Sequence, residues 1–368
     1  MIRLAKPYIP DEAFEMVTTI LKSGNLVQGD NVRRFEKRLE EYLDVKHAVV
    51  VSSGTAALHL ALIALEVSDD HEVIVPAFTY PATANVVEVI GARTTLVDIK
   101  LGDYCIDVNK IESVITDKTK AIIPVHEFGN SADMGPILYL ANKYDLNIIE
   151  DAACALGTEY NGKKAGTIGD IGCFSFHPRK AITTGEGGAI VTNNSDLAEK
   201  IKSYRNHGIA SDKNKTLFKY AGLNYRITDF QAALGDAQLK DIKIILDNRL
   251  EASKLYDESL KDIKWLELPR KIKDSKSVYQ TYHVLLNENL DRNKLMKILN
   301  EKGIECNIGA YAIHMIDYFK KKYSYSDNEF ICAKSAYLKG LALPIGIHLE
   351  ADDYSKVKDV IQISRESI

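Results

Sequence analysis

Two hydrophobic periods run along this chain. Between residues 48 and 192 lie seven short, mostly apolar runs, at 48–51 (AVVV), 73–75 (VIV), 96–99 (LVDI), 121–125 (AIIPV), 147–149 (NII), 172–176 (GCFSF) and 189–192 (AIVT). Continuous apolar runs suit strands covered on both faces, whereas alternation marks a sheet with one wet face. Helix-length segments separate most of the runs, so the pattern predicts a largely parallel α/β sheet. The last two runs are joined by a glycine-rich connection too short for a full crossover. At least one pair there is expected to depart from simple βαβ winding.

Outside these runs the period becomes helical. In DEAFEMVTTILKSG, Phe14, Val17 and Leu21 share one stripe, with Asp11 as N-cap and Gly24 as the stop. Beyond Thr228, which reads as another N-cap, Ile242, Leu246 and Leu250 fall in register on a long helix. The remainder predicts a strand at 279–286, a helix carrying Leu295, Ile298 and Leu299, a strand near Ile304 and a final helix through Val357 and Ile361. A chain of 368 residues exceeds what one core usually supports. The expected division is a large domain over 1–245, including an N-terminal arm, and a smaller C-terminal α+β domain over 246–368.

Composition then narrows the partners. With 46% hydrophobic and 27% charged residues the chain belongs with soluble globular proteins rather than disordered or collagen-like ones. A net charge of −4 with no basic stripe argues against nucleic acid. Cys105, Cys154, Cys173, Cys306 and Cys332 are scattered without paired C-x-x-C spacing, so they read as free thiols and no metal site is expected. The first residues lack the apolar stretch of a signal peptide and no long apolar span follows, which places the expected location in the cytoplasm, away from membranes.

Four segments at the ends of predicted strands carry candidate chemistry, where open α/β folds gather ligands. In VVVSSGTAAL (49–58), Ser53, Gly54 and Thr55 open a helix, either as an ordinary cap or as an anion site built from free N–H groups. In IIEDAACALG (148–157), Asp151 ends a buried strand and asks for a partner, either the N–H groups of a following helix or a cation such as a protonated pyridine nitrogen. In CFSFHPRKAITTGEGGAIV (173–191), Lys180 precedes Gly185, Gly187 and Gly188. It is either a solvated surface charge or a lysine whose pKa is lowered enough to form a Schiff base. The fourth segment, AGLNYRITDFQAAL (221–234), brings Asn224, Tyr225 and Arg226 before a helix and says little alone.

Together, in this order and spacing, S-G-T-A-A-L, P-A-F-T-Y-P-A-T-A-N (76–85), E-D-A-A, S-F-H-P-R-K with G-E-G-G, and N-Y-R-I-T-D-F-Q-A-A-L resemble the DegT/StrS family of pyridoxal 5′-phosphate (PLP)-dependent sugar aminotransferases. S-G-N-L-V-Q-G-D-N-V (23–32) and L-A-L-P-I (341–345) extend the likeness over nearly the whole chain. The resemblance implies a fold-type-I aminotransferase: an α/β large domain with a mixed, mostly parallel seven-stranded sheet, a small C-terminal domain, and a homodimer with active sites at its interface. It implies that Lys180 forms the internal aldimine and then shuttles a proton, and that Asp151 pairs with the pyridine nitrogen. Gly54, Thr55 and Ser175 would hold the phosphate from one subunit and Asn224 from the other, while Tyr80 would stack on the ring unless it packs in the core. One departure is Cys154, where the family often carries Gln or His near the cofactor's phenolic oxygen; a thiol is a weaker donor, so that hydrogen bond is weakened or supplied elsewhere.

Dehydrating members of the family replace the Schiff-base lysine by histidine, so Lys180 favours transamination. The resemblance further implies a nucleotide-linked keto sugar as acceptor and L-glutamate as donor. Tyr311 and His314 match the region that faces substrate, with a packed, hydrogen-bonded histidine as the other reading, and Glu186 either meets substrate or caps its turn. Two alternatives remain at this stage: a keto-cyclitol acceptor, and a PLP-binding regulatory protein without turnover.

Overall fold

The computed structural model describes residues 1–212, 215–287 and 290–368. All seven apolar runs are strands of one sheet: β1 (His47–Val51), β2 (Glu72–Pro76), β3 (Arg93–Val97), β4 (Thr119–Ile122), β5 (Asn147–Asp151), β6 (Ile171–Ser175) and β7 (Gly188–Thr192). Their order is β1-β7-β6-β5-β4-β2-β3. Only β7 runs against its neighbours, antiparallel to both β1 and β6, which is the departure expected at the glycine-rich connection. β3 starts earlier than its apolar run because it is an edge strand, and its first residues alternate between exposed and covered.

Helix α1 (Asp11–Ser23) starts with Pro10 as its N-cap, one residue before the predicted cap, and stops at Gly24, whose φ of 72° only glycine adopts without strain. The stripe read from sequence does not face this chain's core. Ala13 and Ile20 are buried, whereas Phe14 is 63% and Leu21 53% exposed. Helix α2 (Asp30–Leu43) docks on α4 (Asp229–Lys240) through the Asp229 carboxylate, which accepts from the Gly29 and Val32 N–H groups at 3.0 and 3.1 Å. Between them α3 (Gly54–Ala64) is apolar on nearly every side and packs against β6 and β7. At the start of α4, Thr228 caps the helix as expected, with the Gln231 side chain returning to its N–H at 3.2 Å.

A second core lies beyond the sheet. It gathers Tyr256, Tyr282, Leu295, Leu299, Leu341, Val357 and Ile361 around a three-stranded antiparallel sheet of β8 (Leu266–Glu267), β9 (Tyr282–Leu286) and β10 (Gly340–Leu343), with β9 central. The predicted strand at 279–286 begins only at Tyr282, since Tyr279 has a φ of 45° that no strand accommodates. Helix α5 (Ile242–Leu260) belongs to both cores: Ile242 and Ile245 pack in the first, Ala252, Tyr256 and Leu260 in the second. The chain start also crosses over, with Ile2 bridging to Ile304 and buried in the second core. No helix among the described residues is long and apolar enough to cross a membrane.

Strand β5 ends in two acids that point to opposite faces. Glu150, fully buried, accepts from the N–H groups of Gly166, Ile168 and Gly169 at 2.8, 2.6 and 2.6 Å, and from His126 Nε2 at 2.9 Å. His126 Nδ1 already accepts from the Ala132 N–H at 3.1 Å, so Nε2 carries the ring hydrogen. Removing one partner from such a cluster leaves buried donors unpaired. Glu150→Ala is therefore expected to destabilise the fold by about 3–5 kcal/mol, read as a lower denaturant midpoint at unchanged m-value.

Candidate active site

The C-terminal ends of β1, β2, β4, β5 and β6 meet at one edge of the sheet, where β7 begins. Asp151 is the last residue of β5 and is 5% exposed. Its Oδ2 accepts from the Thr83 hydroxyl at 2.7 Å and its Oδ1 from the Ala153 N–H at 3.1 Å. Burial pushes its pKa up, while these donors and Lys180 pull the other way.

Lys180 follows β6 in a tight turn, its N–H donating to the His177 carbonyl at 2.8 Å. The side chain is half-buried, and Nζ donates to Cys154 Sγ at 2.9 Å. Burial favours the free amine, but Cys154, Asp151 and Glu127 outweigh it and hold the pKa above the ordinary lysine value. This reverses the lowered pKa expected from the strand and glycine context, because the acids that surround the amine come from distant segments. Burial pushes the Cys154 thiol up, so it keeps its proton and acts only as a weak acceptor.

The lysine turn is clamped from three sides. Gln238 of α4 bonds the Thr183 backbone twice, accepting from its N–H at 3.0 Å and donating to its carbonyl at 2.6 Å. Arg249 of α5, 7% exposed, donates to the Gln280 carbonyl at 2.9 Å and to the Lys180 carbonyl at 3.4 Å. Burial among these uncharged acceptors lowers its pKa to about 10. Gln280 completes the clamp by donating to the Arg179 carbonyl.

At the start of α3, the Ser53 hydroxyl accepts from the Ala56 N–H at 3.0 Å. The N–H groups of Gly54 and Thr55 have no acceptor among the described residues, as the first turn of a helix requires. The floor is glycine because nothing larger fits. A Cβ on Gly54 would lie 2.9 Å from Ser175 Cβ, and one on Gly188 would lie 2.5 Å from the Ser53 carbonyl oxygen. Ser175, at the end of β6, therefore sits against the helix start.

Tyr80 is 65% exposed, which removes the core-packing reading, and its ring centroid lies 6.4 Å from that of Tyr311. The two are brought together because Tyr311–Ala312 pairs with Phe78–Thr79. Glu186 is exposed, and its carbonyl accepts from the Thr184 hydroxyl at 2.7 Å and from Gln231 at 2.9 Å. Asn224 is exposed and bridges Asn206 through its backbone. His314 does not reach the cleft surface: it is fully buried, 5.1 Å from the Phe330 ring, and the Asp327 backbone approaches it without a well-formed hydrogen bond.

Sequence reading missed Thr79, Thr83, Glu127, Gln238, Arg249 and Gln280. The two threonines stand inside the P-A-F-T-Y-P-A-T-A-N motif, and Glu127 comes one residue past the apolar run AIIPV, after His126, a position that signals a strand-end acid. The other three were unmarked, since clamping a backbone needs only a long polar side chain at the right place.

A sequence model of the DegT/DnrJ/EryC1/StrS aminotransferase family matches residues 7–362. The chain is 39% identical over 333 residues to a GDP-perosamine synthase of Caulobacter vibrioides, covering 89% of this chain and 88% of that one. Among solved structures, PseC of Helicobacter pylori, an aminotransferase involved in the biosynthesis of pseudoaminic acid, superposes with a TM-score of 0.94 at 31% identity over all of both chains. A putative sugar aminotransferase of Streptococcus pneumoniae in its PMP form gives a TM-score of 0.94 at 26% identity, also over all of both chains. Given the contact a Cβ would make with Ser175, Gly54→Ala is expected to destabilise the fold by about 1–3 kcal/mol, measured as a lower denaturant midpoint.

Proposed function

Because this chain belongs to the DegT/DnrJ/EryC1/StrS aminotransferase family, we propose that it transfers an amino group to a keto sugar carried on a nucleotide. It is a PLP-dependent transaminase of the fold-type-I kind. The residues at the sheet edge fit the cofactor chemically. A lysine Nζ suits its aldehyde, a buried carboxylate suits a protonated ring nitrogen, and two open N–H groups over a glycine floor suit its phosphate. The observation that carries the reading is this convergence of Lys180, Asp151 and the start of α3.

Bound PLP supplies an aldehyde that condenses with amines and a ring that draws electrons from the adjoining carbon. Lys180 Nζ would be the attachment point for that aldehyde, and as a free amine it would be placed to move a proton at the adjoining carbons. Asp151 holds the proton on the ring nitrogen by offering its negative charge across a dry contact. Gly54, Thr55 and Ser175 would hold the phosphate, and the exposed Tyr80 ring would cover the cofactor and exclude water. Cys154, against Nζ, stands beside the amine as a neutral thiol.

Residues 1–245 carry these groups in this reading, and 246–368 supply Tyr311, paired beside Tyr80, as a substrate contact, with Glu186 a further candidate on the lysine loop. The GDP-linked product in the name of the Caulobacter relative supports a nucleotide-linked acceptor; L-glutamate as donor rests on the family resemblance alone. A homodimer is favoured by the open apolar stripe of Phe14 and Leu21, continued by Val27 at 73% exposure, and by the unburied Asn224, which would complete the phosphate site of a second copy.

Borohydride reduction followed by peptide mapping is expected to place the cofactor label on Lys180. Lys180→Ala should lose the visible absorption band and at least about a thousandfold in turnover; label on another side chain, or an active yellow variant, contradicts the assignment. Incubation with glutamate and a panel of nucleotide-linked keto sugars and keto-cyclitols, with mass analysis of products, identifies the acceptor. Amination confined to cyclitols would reject the sugar.

A further inference from the structure

Residues 277–281, just ahead of β9, form a strap that bonds to two turns of the site. In the turn after β4, the Gly129 carbonyl accepts from the Thr158 hydroxyl at 2.7 Å, the Ser277 hydroxyl at 3.0 Å and the Val278 N–H at 3.1 Å. One oxygen joins three segments. The neighbouring Phe128 carbonyl accepts from the Thr281 N–H at 3.3 Å. Toward the lysine turn, the Gln280 side chain donates to the Arg179 carbonyl, while its main-chain and side-chain oxygens accept from Arg249 at 2.9 and 3.2 Å. Those partners allow its amide only one orientation.

The backbone is constrained on both sides of this contact. Phe128 has a φ of 57° and Tyr279 one of 45°, left-handed conformations that bulky side chains seldom adopt. They persist only where the surroundings over-determine them. Tyr279 sends its ring into the second core, 6.1 Å from the Tyr282 ring and nearly parallel to it, while Val278 and Gln280 on either side reach the first unit. No space is left between strap and turn. A Cβ on Gly129 would lie 2.8 Å from the Gln280 nitrogen, 2.9 Å from Val278 Cγ2 and 3.2 Å from the Cys154 carbonyl oxygen. We propose that the strap is a positioning element and Gln280 its positioning residue, fixing the lysine turn relative to Gly129 and Cys154 so that Lys180 Nζ stays at the sheet edge.

The second unit thus enters the chemistry through the backbone, without touching a reacting atom. Gln238 holds the far end of the lysine turn at Thr183, and Gln280 with Arg249 holds the near end at Arg179 and Lys180. Both ends are needed to fix a side chain between them. Without Gln280 the Arg179 carbonyl loses that donor, and Arg249 is left with main-chain oxygens alone. The half-buried Lys180 side chain then swings away from Cys154 Sγ, 2.9 Å from Nζ, and into water. Burial opposes the charge on Nζ, but Cys154, Asp151 and Glu127 outweigh it, so the amine in place is both covered and firmly protonated. Released, it reacts faster with an acylating reagent. The consequence for amino-group transfer rests on the proposed role of Lys180; the strap is a property of the chain alone.

Competitive acetylation of the cofactor-free full chain, read by peptide mass analysis, tests the strap directly. In the wild type Lys180 is expected to react about tenfold or more slowly than the exposed Lys297. Gln280→Met keeps the side-chain length and removes its hydrogen bonds. It should raise the Lys180 rate about tenfold and leave Lys297 as it was. A wild-type Lys180 as reactive as Lys297, a Lys180 rate unchanged in the variant, or a rise shared by all lysines through general loosening each overturns the proposal. The second readout is a single turnover of the PLP-loaded chain with glutamate, followed as loss of the visible band. At saturating donor Gln280→Met should be about tenfold slower or more, with PLP affinity within about twofold of the wild type because the phosphate residues lie outside the strap. Equal rates overturn the positioning role. Should the methionine variant fail to fold, Gln280→Glu, which keeps an oxygen for Arg249 and loses the donor to Arg179, carries both comparisons. Borohydride label on Lys180 with unchanged acetylation removes the strap alone. Label elsewhere removes the functional reading, a wild type that glutamate does not convert removes the donor, and in both cases acetylation still decides the strap.

Discussion

Holding carboxyl groups and an amine away from water is expensive, and the end of β5 meets that cost in two different ways. Glu150 and Asp151 are neighbours in sequence and both buried, but they face opposite sides of the sheet. Glu150 is saturated: three backbone N–H groups and a histidine ring satisfy it, and nothing further can approach. Asp151 accepts only one hydroxyl and one N–H among the described residues. A carboxylate can accept about four hydrogen bonds. The spare capacity of Asp151 separates a structural acid from one free to meet a ligand, and the surrounding architecture serves to keep that capacity dry and aimed at the sheet edge.

The sheet and its chemistry were legible in different degrees, for physical reasons. Strands buried on both faces announce themselves as apolar runs, so all seven were visible, and the largest error in a start fell on the edge strand β3, which has one wetter face, with β4 beginning two residues before its run. Lys180, Asp151, Gly54 and Ser175 stood out because strand ends, glycines and small polar residues seldom fall in that order by chance. The pKa direction of Lys180 was not legible. It depends on Cys154, Asp151 and Glu127, which are remote in sequence and become neighbours of the amine only when β4, β5 and β6 align. His314 shows the converse: position in a motif suggested a cleft residue, but packing against Phe330 removed it from the surface.

The apolar stripe of α1 makes a related point. Periodicity identifies a face that avoids water, not the partner that covers it. Phe14 and Leu21 have the right spacing to be buried, and this chain alone leaves them in solvent. An exposed stripe rimmed by polar residues is what a surface shared between copies looks like when one copy is viewed alone.

Helix α5 begins in one core and ends in the other, and between the two segments it carries Arg249, whose guanidinium grips the carbonyl of Lys180. A rod embedded at both ends behaves as a lever. Any tilt of the smaller unit is transmitted along it to the backbone of the reactive lysine, so crowding at the sugar side would be felt at the amine without a single atom of substrate touching it.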